Sequence, residues 1–523
     1  MASNLNLTEH MEEVDDKGIY VIEDEGTKST ETSNENEERK ECWGARHTLA
    51  IMVFFGLAVE YSLRVNLSIA IVAMAGTTDV PDVSNSTDDI CPVKGNDTGS
   101  KNTYIEGEFN WDEQTQGLIL GAFFYGYTCT NLLGGRAAEH LGGRLVFGLG
   151  AVGSSFIALL SPICARTSTG LFVASRVLMG IAQGVSLPAI NSIMATWFPP
   201  EEKAKISPLI YGGMQIGTVI SLPVSGLLIS VGFLGGWPSV FYVFGALGII
   251  WGIPWFLLTH DRPEKHPRIS QVELNFIQRH REAIKKEEVV SIPWKEIVTS
   301  GPLWACIFMM TGGSFGFYTL LTELPTYLAN IQHFDMNSSG VLSALPYILL
   351  WAFGVLWGIL MEKLSLAGVL SIKAIRRLST AVANYVPAAA LIAMCFVDCD
   401  STLAMAMLCI AVGFNGSSYS GNALSEQDIA PNLAGTLLGI TNTFGAATGF
   451  LAPATVGAIT NGNQWSLAAW RWVFIITAII YATTCTLYLL LMSDEVQPWN
   501  EPKKAQEGRV APSTSYGSNQ TQW

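Results

Sequence analysis

The chain has 523 residues, of which 49% are hydrophobic and 14% charged, about half the charged share of an ordinary soluble domain. Its mean hydropathy is +0.32. This excludes a soluble multidomain enzyme, whose surface needs more charge, and a disordered chain, which needs far less apolar content; the formal charge of −14 argues against a nucleic-acid binder. A polytopic membrane protein remains.

Residues 1–41 carry 13 acidic and 4 basic residues, net −9. They are polar throughout and contain no apolar core of a cleavable signal, so residues 1–45 are expected to form a disordered acidic tail. Apolar stretches long enough to cross a bilayer as helices then follow at 47–75, 114–138, 145–165, 168–197, 207–231 and 238–259. The loop at 76–113 has 9 acidic and 2 basic residues, net −7. With the tail at −9, that leaves +2 for the rest of the −14 chain, so the acidity does not belong to the membrane body.

A charged gap at 260–302 divides the chain. Ser270 and Glu273 have capping-box spacing, and Val272, Phe276, Ile277, His280 and Ile284 form one apolar stripe, which predicts an amphipathic helix on the cytosolic face. Six further spans are predicted at 303–330, 340–361, 378–397, 402–424, 434–458 and 471–492, followed by a disordered cytosolic tail at 493–523. The expected domains are therefore a six-helix half at 46–259, the linker at 260–302 and a second six-helix half at 303–492.

With the N-terminus cytosolic, 24 of the 30 Lys and Arg residues fall on the cytosolic side, as the positive-inside rule requires. Lys94, Lys101, Arg166 and Arg471 fall outside, and Arg64 and Arg176 fall within the membrane. The even span count places the C-terminus inside too. Glycosylation sequons at Asn85, Asn96 and Asn337 lie on the predicted outer side. Cys91, Cys164, Cys395 and Cys399 would also lie near that side, where an external disulfide has room to form; cysteine spacing offers no metal site.

The halves look related. Gly135-Arg-Ala-Ala-Glu139 after the second span corresponds to Gly358-Ile-Leu-Met-Glu362 after the eighth, and Pro223 in the fifth corresponds to Pro453 in the eleventh. Offsets of 223 and 230 residues fit one duplication, and paired six-span repeats around a midplane site are a secondary-transporter plan.

Motifs then become specific. Gly134-Gly-Arg-Ala-Ala-Glu-His-Leu-Gly-Gly-Arg144 resembles the loop signature of the major facilitator superfamily, with Glu139 in place of the usual Asp. Leu63-Arg-Val-Asn-Leu-Ser68, Phe123-Phe-Tyr-Gly-Tyr127, Trp197-Phe-Pro-Pro-Glu-Glu202, Leu324-Pro-Thr-Tyr327 and Gly413-Phe-Asn-Gly-Ser-Ser-Tyr-Ser-Gly421 narrow the resemblance. Together they are similar to the anion/cation symporter family, which includes sialin, the vesicular glutamate transporters and the sodium–phosphate cotransporters. The likeness covers about residues 45–495 and is nearest in wording to invertebrate sialin-like members described as inorganic phosphate cotransporters. It implies an all-α bundle of twelve transmembrane helices and transport of a small anion coupled to H+ or Na+, with no resident cofactor.

Arg64 is deep in the first span. A guanidinium there is costly unless paired, and its donor fork matches carboxylate or phosphate. Two readings fit: a substrate-anion anchor, or an internal ion pair with Glu60 one turn earlier. Arg176 lies roughly 12 Å into the fourth span and Arg64 about 17 Å from the outer end of the first, at 1.5 Å per residue, so both arginines are placed to share one anion. The resemblance implies a transport-critical Arg at each position.

Gln183 lies on the Arg176 face, where many relatives carry a Glu implicated in proton coupling; a Gln cannot titrate. Leu120 and Gly313 stand where vesicular glutamate transporters have His and Arg, which disfavours that assignment. The coupling candidates are Glu60, Glu323 and the Gln183 position. Tyr318, Asn415, Ser417, Ser418, Tyr419 and Asn422 are candidate cavity residues, with helix packing as the alternative for the small ones. Glu139 with Arg144, and Glu362 with Arg376, are expected to form cytosolic gate pairs.

The reading is a monomeric transporter in the cell-surface membrane, with phosphate as first substrate and sialic acid or an acidic amino acid next. Rival classes are a non-transporting sensor or scaffold on the same fold, and a membrane enzyme. No catalytic motif supports the enzyme.

Overall fold

The computed structural model describes residues 44–75, 91, 107–285, 293–334 and 336–500, apart from a few side chains within helices, Glu139 among them. Both tails and the sequons at Asn85 and Asn96 lie outside the described residues.

The first half is α1 (Ala45–Ala75), α2 (Glu113–Leu141), α3 (Gly143–Thr167), α4 (Thr169–Trp197), α5 (Pro200–Ser230) and α6 (Trp237–Leu258). The linker holds α7 (Gln271–Lys285) and the short α8 (Trp294–Val298). The second half is α9 (Gly301–Asn330), α10 (Met336–Leu366), α11 (Ile372–Met394), α12 (Ser401–Ile429), α13 (Ala434–Thr460) and α14 (Leu467–Leu491). Nine of these helices, among the described residues, are long and apolar enough to cross a membrane. The other three long ones are α2, α11 and α13. Tyr125, Tyr127, Thr128, Thr130 and Asn131 dilute the apolarity of α2, and Lys373, Arg376 and Arg377 do so at the start of α11.

Polar side chains start the helices where water would otherwise be needed. Asp112 accepts from Thr115 N, Ser168 from Leu171 N, Ser371 from Ala374 N, and Asp400 from Thr402 N and Leu403 N. Gly142, at φ 92°, makes the one-residue turn between α2 and α3. A side chain there would run into Asp261, which accepts from Arg144 N at 2.9 Å. A glycine is required on both counts.

Two spans are broken. α4 is interrupted at Val185, because Pro188 has no N–H for the Gly184 carbonyl one turn earlier. α12 passes through a 3-10 segment at Phe414–Ser420. Mid-span 3-10 turns mark sites under functional or packing demand.

The linker helix belongs to the first half. Glu273 Oε2 and Oε1 accept from Ala45 N at 2.9 Å and Arg46 N at 3.1 Å, and Arg46 also pairs with Glu202 at 3.2 Å. Ser270 caps α7 as its spacing predicts, at 3.1 Å from Glu273 N. Glu273, however, spends its carboxylate on α1 instead of returning to Ser270. Of the predicted stripe, Ile277 is buried and Val272 is exposed; the His280 and Ile284 side chains lie outside the described residues.

The halves meet most extensively through α2 with α13 and α5 with α10. These seams are tight at the end opposite the linker. A Cβ on Gly117 would lie 2.5 Å from Pro453 O, one on Gly457 2.5 Å from Glu113 O, and one on Gly340 2.7 Å from Leu222 O. At the same end a disulfide joins Cys91, in the loop after α1, to Cys399, before α12, and so ties the two halves; Cys164 and Cys395 are free. Leu356, Leu257, Trp472 and Ile163 stand exposed on the outside of the bundle, the surface that lipid would cover.

Candidate functional site

α1 and α4 run antiparallel, and their facing surfaces bring together the polar residues that hydropathy leaves unexplained. Arg64, Glu60, Arg176 and Gln183 are all buried, at 8%, 1%, 1% and 0% exposure. Arg176 donates to the carbonyls of Leu63 and Arg64, each at 3.4 Å. Gln183 Nε2 donates to the Glu60 carbonyl at 3.3 Å and to Ser154 Oγ at 3.4 Å. Its Oε1 accepts from Arg64 Nη2 at 3.5 Å.

Glu60 does not pair with Arg64. Its Oε1 accepts from Ser186 Oγ at 2.6 Å, and no ion pair joins Glu60 and Arg64 among the described residues. The break in α4 explains this: past Val185 the chain presents Ser186 to α1, and a short hydroxyl–carboxylate bond takes the acid away from its i+4 neighbour. Arg64 instead sits in an aromatic cage, 4.4 Å from the Tyr61 ring centroid, 4.6 Å from Tyr127 and 4.7 Å from Phe123. Its Nε, like that of Arg176, is buried and has no hydrogen-bond partner.

Both arginines line one small cavity. Ser68 adds a hydroxyl from α1, and Leu120, Phe123 and Phe124 form the α2 wall. Leu321 and Thr322 come from α9 of the other half. Two buried guanidiniums that lack a carboxylate partner among the described residues form a strong receptor for an anion.

The remaining expectations divide. Tyr318 packs on Phe124 at 4.6 Å between ring centroids, beside the cavity. Tyr419 is 50% exposed and its hydroxyl accepts from Gln215 Nε2 of the first half at 3.1 Å, so it borders the space between the halves. The Asn415 amide donates to Ala383 O of α11 at 3.2 Å. Ser417 Oγ lies 3.0 Å from Ser379 O of α11 and 2.9 Å from Phe414 O, its one hydrogen shared between them. In the 3-10 segment these side chains tie α12 to α11. The Ser418 carbonyl accepts from Gly421 N at 3.0 Å, closing a turn, and Asn422 Oδ1 is buried without a partner.

One expected gate pair, Glu362 with Arg376, is not formed among the described residues; the other, Glu139 with Arg144, falls partly outside them. Arg376 Nε binds Asp428 Oδ2 at 2.7 Å and its Nη1 the Ser420 carbonyl at 2.8 Å, while Glu362 is exposed. Arg144 Nη2 donates to Phe256 O at 2.5 Å; the Glu139 side chain is outside the described residues. Asp428 lies 52 positions from Arg376, beyond the reach of local spacing. Reasoning from sequence also missed Ser186 and the ring cage, although Phe123 and Tyr127 stand at i, i+4 on one helix face.

The major facilitator superfamily model matches residues 53–453. Sialin of Homo sapiens is 38% identical over 466 residues, covering 88% of this chain and 91% of that protein. A Drosophila melanogaster protein named "Putative inorganic phosphate cotransporter" is 36% identical over 89% of this chain and 88% of its own. Vesicular glutamate transporter 2 of Homo sapiens is 32% identical over 89% and 77%. Among solved structures, a bacterial homologue of the human lysosomal transporter Spinster, inward-facing and occupied, superposes with a TM-score of 0.63 at 16% identity over 87% of this chain and 99% of that one. A D-xylose–proton symporter gives 0.63 at 12% over 86% and 98%; both share the fold. The chain is an integral, multi-pass membrane protein of the major facilitator superfamily, and it belongs there with sialin and the vesicular glutamate transporters.

Proposed function

We propose that this protein is a secondary active transporter that moves a small anion by alternating access, coupled to H+ or Na+. The observation that carries this reading is the pair Arg64 and Arg176. They come from two different helices, lie buried in one cavity that both halves line, and have no carboxylate partner among the described residues. The burial of such charges is costly, and an anion offsets it.

Energetics favour coupling if transport is inward. Moving an anion into a negative interior is opposed by roughly 2.3 kcal/mol per charge per 100 mV, so accumulation requires a co-transported cation. Glu60 and Glu323 are the acidic candidates; Gln183 cannot carry a proton and serves as a bridge between Arg64 and the α1 backbone.

Inorganic phosphate is the first substrate, in keeping with the name of the Drosophila relative. The second reading is an organic acid, such as an acidic sugar or amino acid. The apolar wall of Leu120, Phe124 and Leu321 facing the arginines favours it. We place both termini in the cytosol, the protein in the cell-surface membrane as a monomer, and glycans at Asn85, Asn96 and Asn337. Asn337 is exposed at the start of α10, at the disulfide end.

The test is uptake of phosphate, sialic acid and glutamate into proteoliposomes with H+, Na+ and voltage gradients imposed separately. Accumulation of one anion under one cation gradient is expected. Absence of uptake for all three under every gradient refutes the reading, and leaves a sensor or scaffold as the alternative class.

A further inference from the structure

A second small cavity lies between the halves, toward the disulfide end. Glu113 and Gln116 of α2 face it from one half; Glu323 and Thr326 of α9, Thr460 of α13 and Gln464 face it from the other. Each of these six side chains carries an oxygen, and neither Lys nor Arg lines the cavity.

Glu323 is 7% exposed. Among the described residues its hydrogen-bond partner is Thr322 Oγ1 at 3.5 Å. That hydroxyl has a single hydrogen, and it lies closer to the Tyr318 carbonyl, at 2.9 Å. The Glu323 carboxyl is thus left without a donor. Thr326 Oγ1, lining the same cavity, is buried with no partner. Gln116 Nε2 is taken by Trp111 O at 3.0 Å, which leaves its carbonyl oxygen for the cavity. The Thr460 hydrogen goes to Val456 O at 2.9 Å, leaving its lone pairs. Glu113 Oε2 accepts from Gly462 N of the other half at 3.1 Å. Gln464 Oε1 accepts from Asn330 Nδ2 at 3.2 Å, so the oxygens left with free lone pairs beside the buried carboxylate are those of Gln116, Thr326 and Thr460; a carboxylate among such oxygens suits a positive charge.

We propose that this cavity is a monovalent-cation site, built on Glu323 and Thr326 and completed across the interface by Glu113 and Gln116. It rests on the transport reading above and names the place of coupling. The shared chemistry is a small cation held by oxygens, either a proton on the carboxyl or Na+ among the acceptors. Glu113 is the titratable group that faces Glu323 from α2; α13, α14 and the turn between them contribute Thr460, Trp470 and Gln464. Because the ligands belong to both halves, a bound cation favours the arrangement in which this end is shut. Thr322, adjacent in the chain, lines the arginine cavity, so the two sites share one segment of α9.

The test uses the purified full-length protein in detergent. Thermal melting is followed in NaCl against choline chloride at equal ionic strength, at pH 7.5 and 5.5. A ligand that binds the folded state raises the melting point by mass action. An increment with Na+ in the parent protein, absent in Glu323→Gln, assigns Na+; an increment with acid alone, absent in Glu323→Gln, assigns the proton. Equal increments in parent and variant, or none in the parent, overturn the site. Should Glu323→Gln not fold, Glu323→Asp and Thr326→Val are expected to move the cation midpoint at least tenfold, and unchanged midpoints overturn the proposal. The readout needs no anion movement, so it stands if the transport reading fails. Conversely, anion uptake with full cation dependence in Glu323→Gln overturns the site and leaves transport intact.

Discussion

Arg64→Ala separates an anion anchor from a structural arginine. The protein itself gives the guanidinium little: one hydrogen bond at 3.5 Å to Gln183, three ring faces and an unpartnered Nε. Its removal relieves a desolvation cost and forfeits the three ring contacts; the two oppose each other, and the variant is expected to fold. An anion would gain two charge-assisted bonds from the fork, each worth about 1.5–3 kcal/mol. Two at the low end total about 3 kcal/mol, on the order of a 100-fold loss in kcat/KM at 1.4 kcal/mol per tenfold. Arg64→Lys keeps the charge but loses the planar fork, and a loss of about tenfold is expected. The assay is initial anion uptake in proteoliposomes at matched protein density. A kcat/KM for Arg64→Ala within threefold of the parent would refute the anchor.

Other consequences can be tested alongside. Asp428→Asn should lower stability by about 1–3 kcal/mol, because the Arg376 pair is only 14% and 20% exposed; Glu362→Gln should leave the melting curve in place. Glu273→Ala removes the acceptor for two backbone N–H groups of α1, so faster hydrogen exchange in α7 is expected, and unchanged exchange would show that Ile277 alone docks the helix. Gly117→Val forces a side chain against Pro453 O and should slow uptake while anion binding in detergent persists. Glu60→Gln should weaken proton dependence if that acid is the carrier; full retention removes Glu60 from the coupling candidates.

Much of the architecture is legible in composition and spacing. Apolar runs of membrane length mark spans, because a backbone in hydrocarbon must satisfy its own hydrogen bonds. The duplicated Pro223 and Pro453 lie inside α5 and α13. The buried arginines are visible because charge inside an apolar run is rare and expensive. Partners are less legible. The i, i+4 spacing of Glu60 and Arg64 gives proximity on one helix, yet the neighbouring helix decides where each side chain points.

The sequence by itself determined that this is a two-half membrane bundle with arginines at similar depth on the first and fourth spans, since hydropathy and charge position are local properties. Only the tertiary structure decided that Arg64 and Arg176 share a cavity, that Ser186 takes Glu60, that Asp428 takes Arg376 and that Cys91 is joined to Cys399. Those pairings link segments up to 308 residues apart. Distances in space between such segments follow from helix packing and from the break at Pro188, and no periodicity along the chain records them.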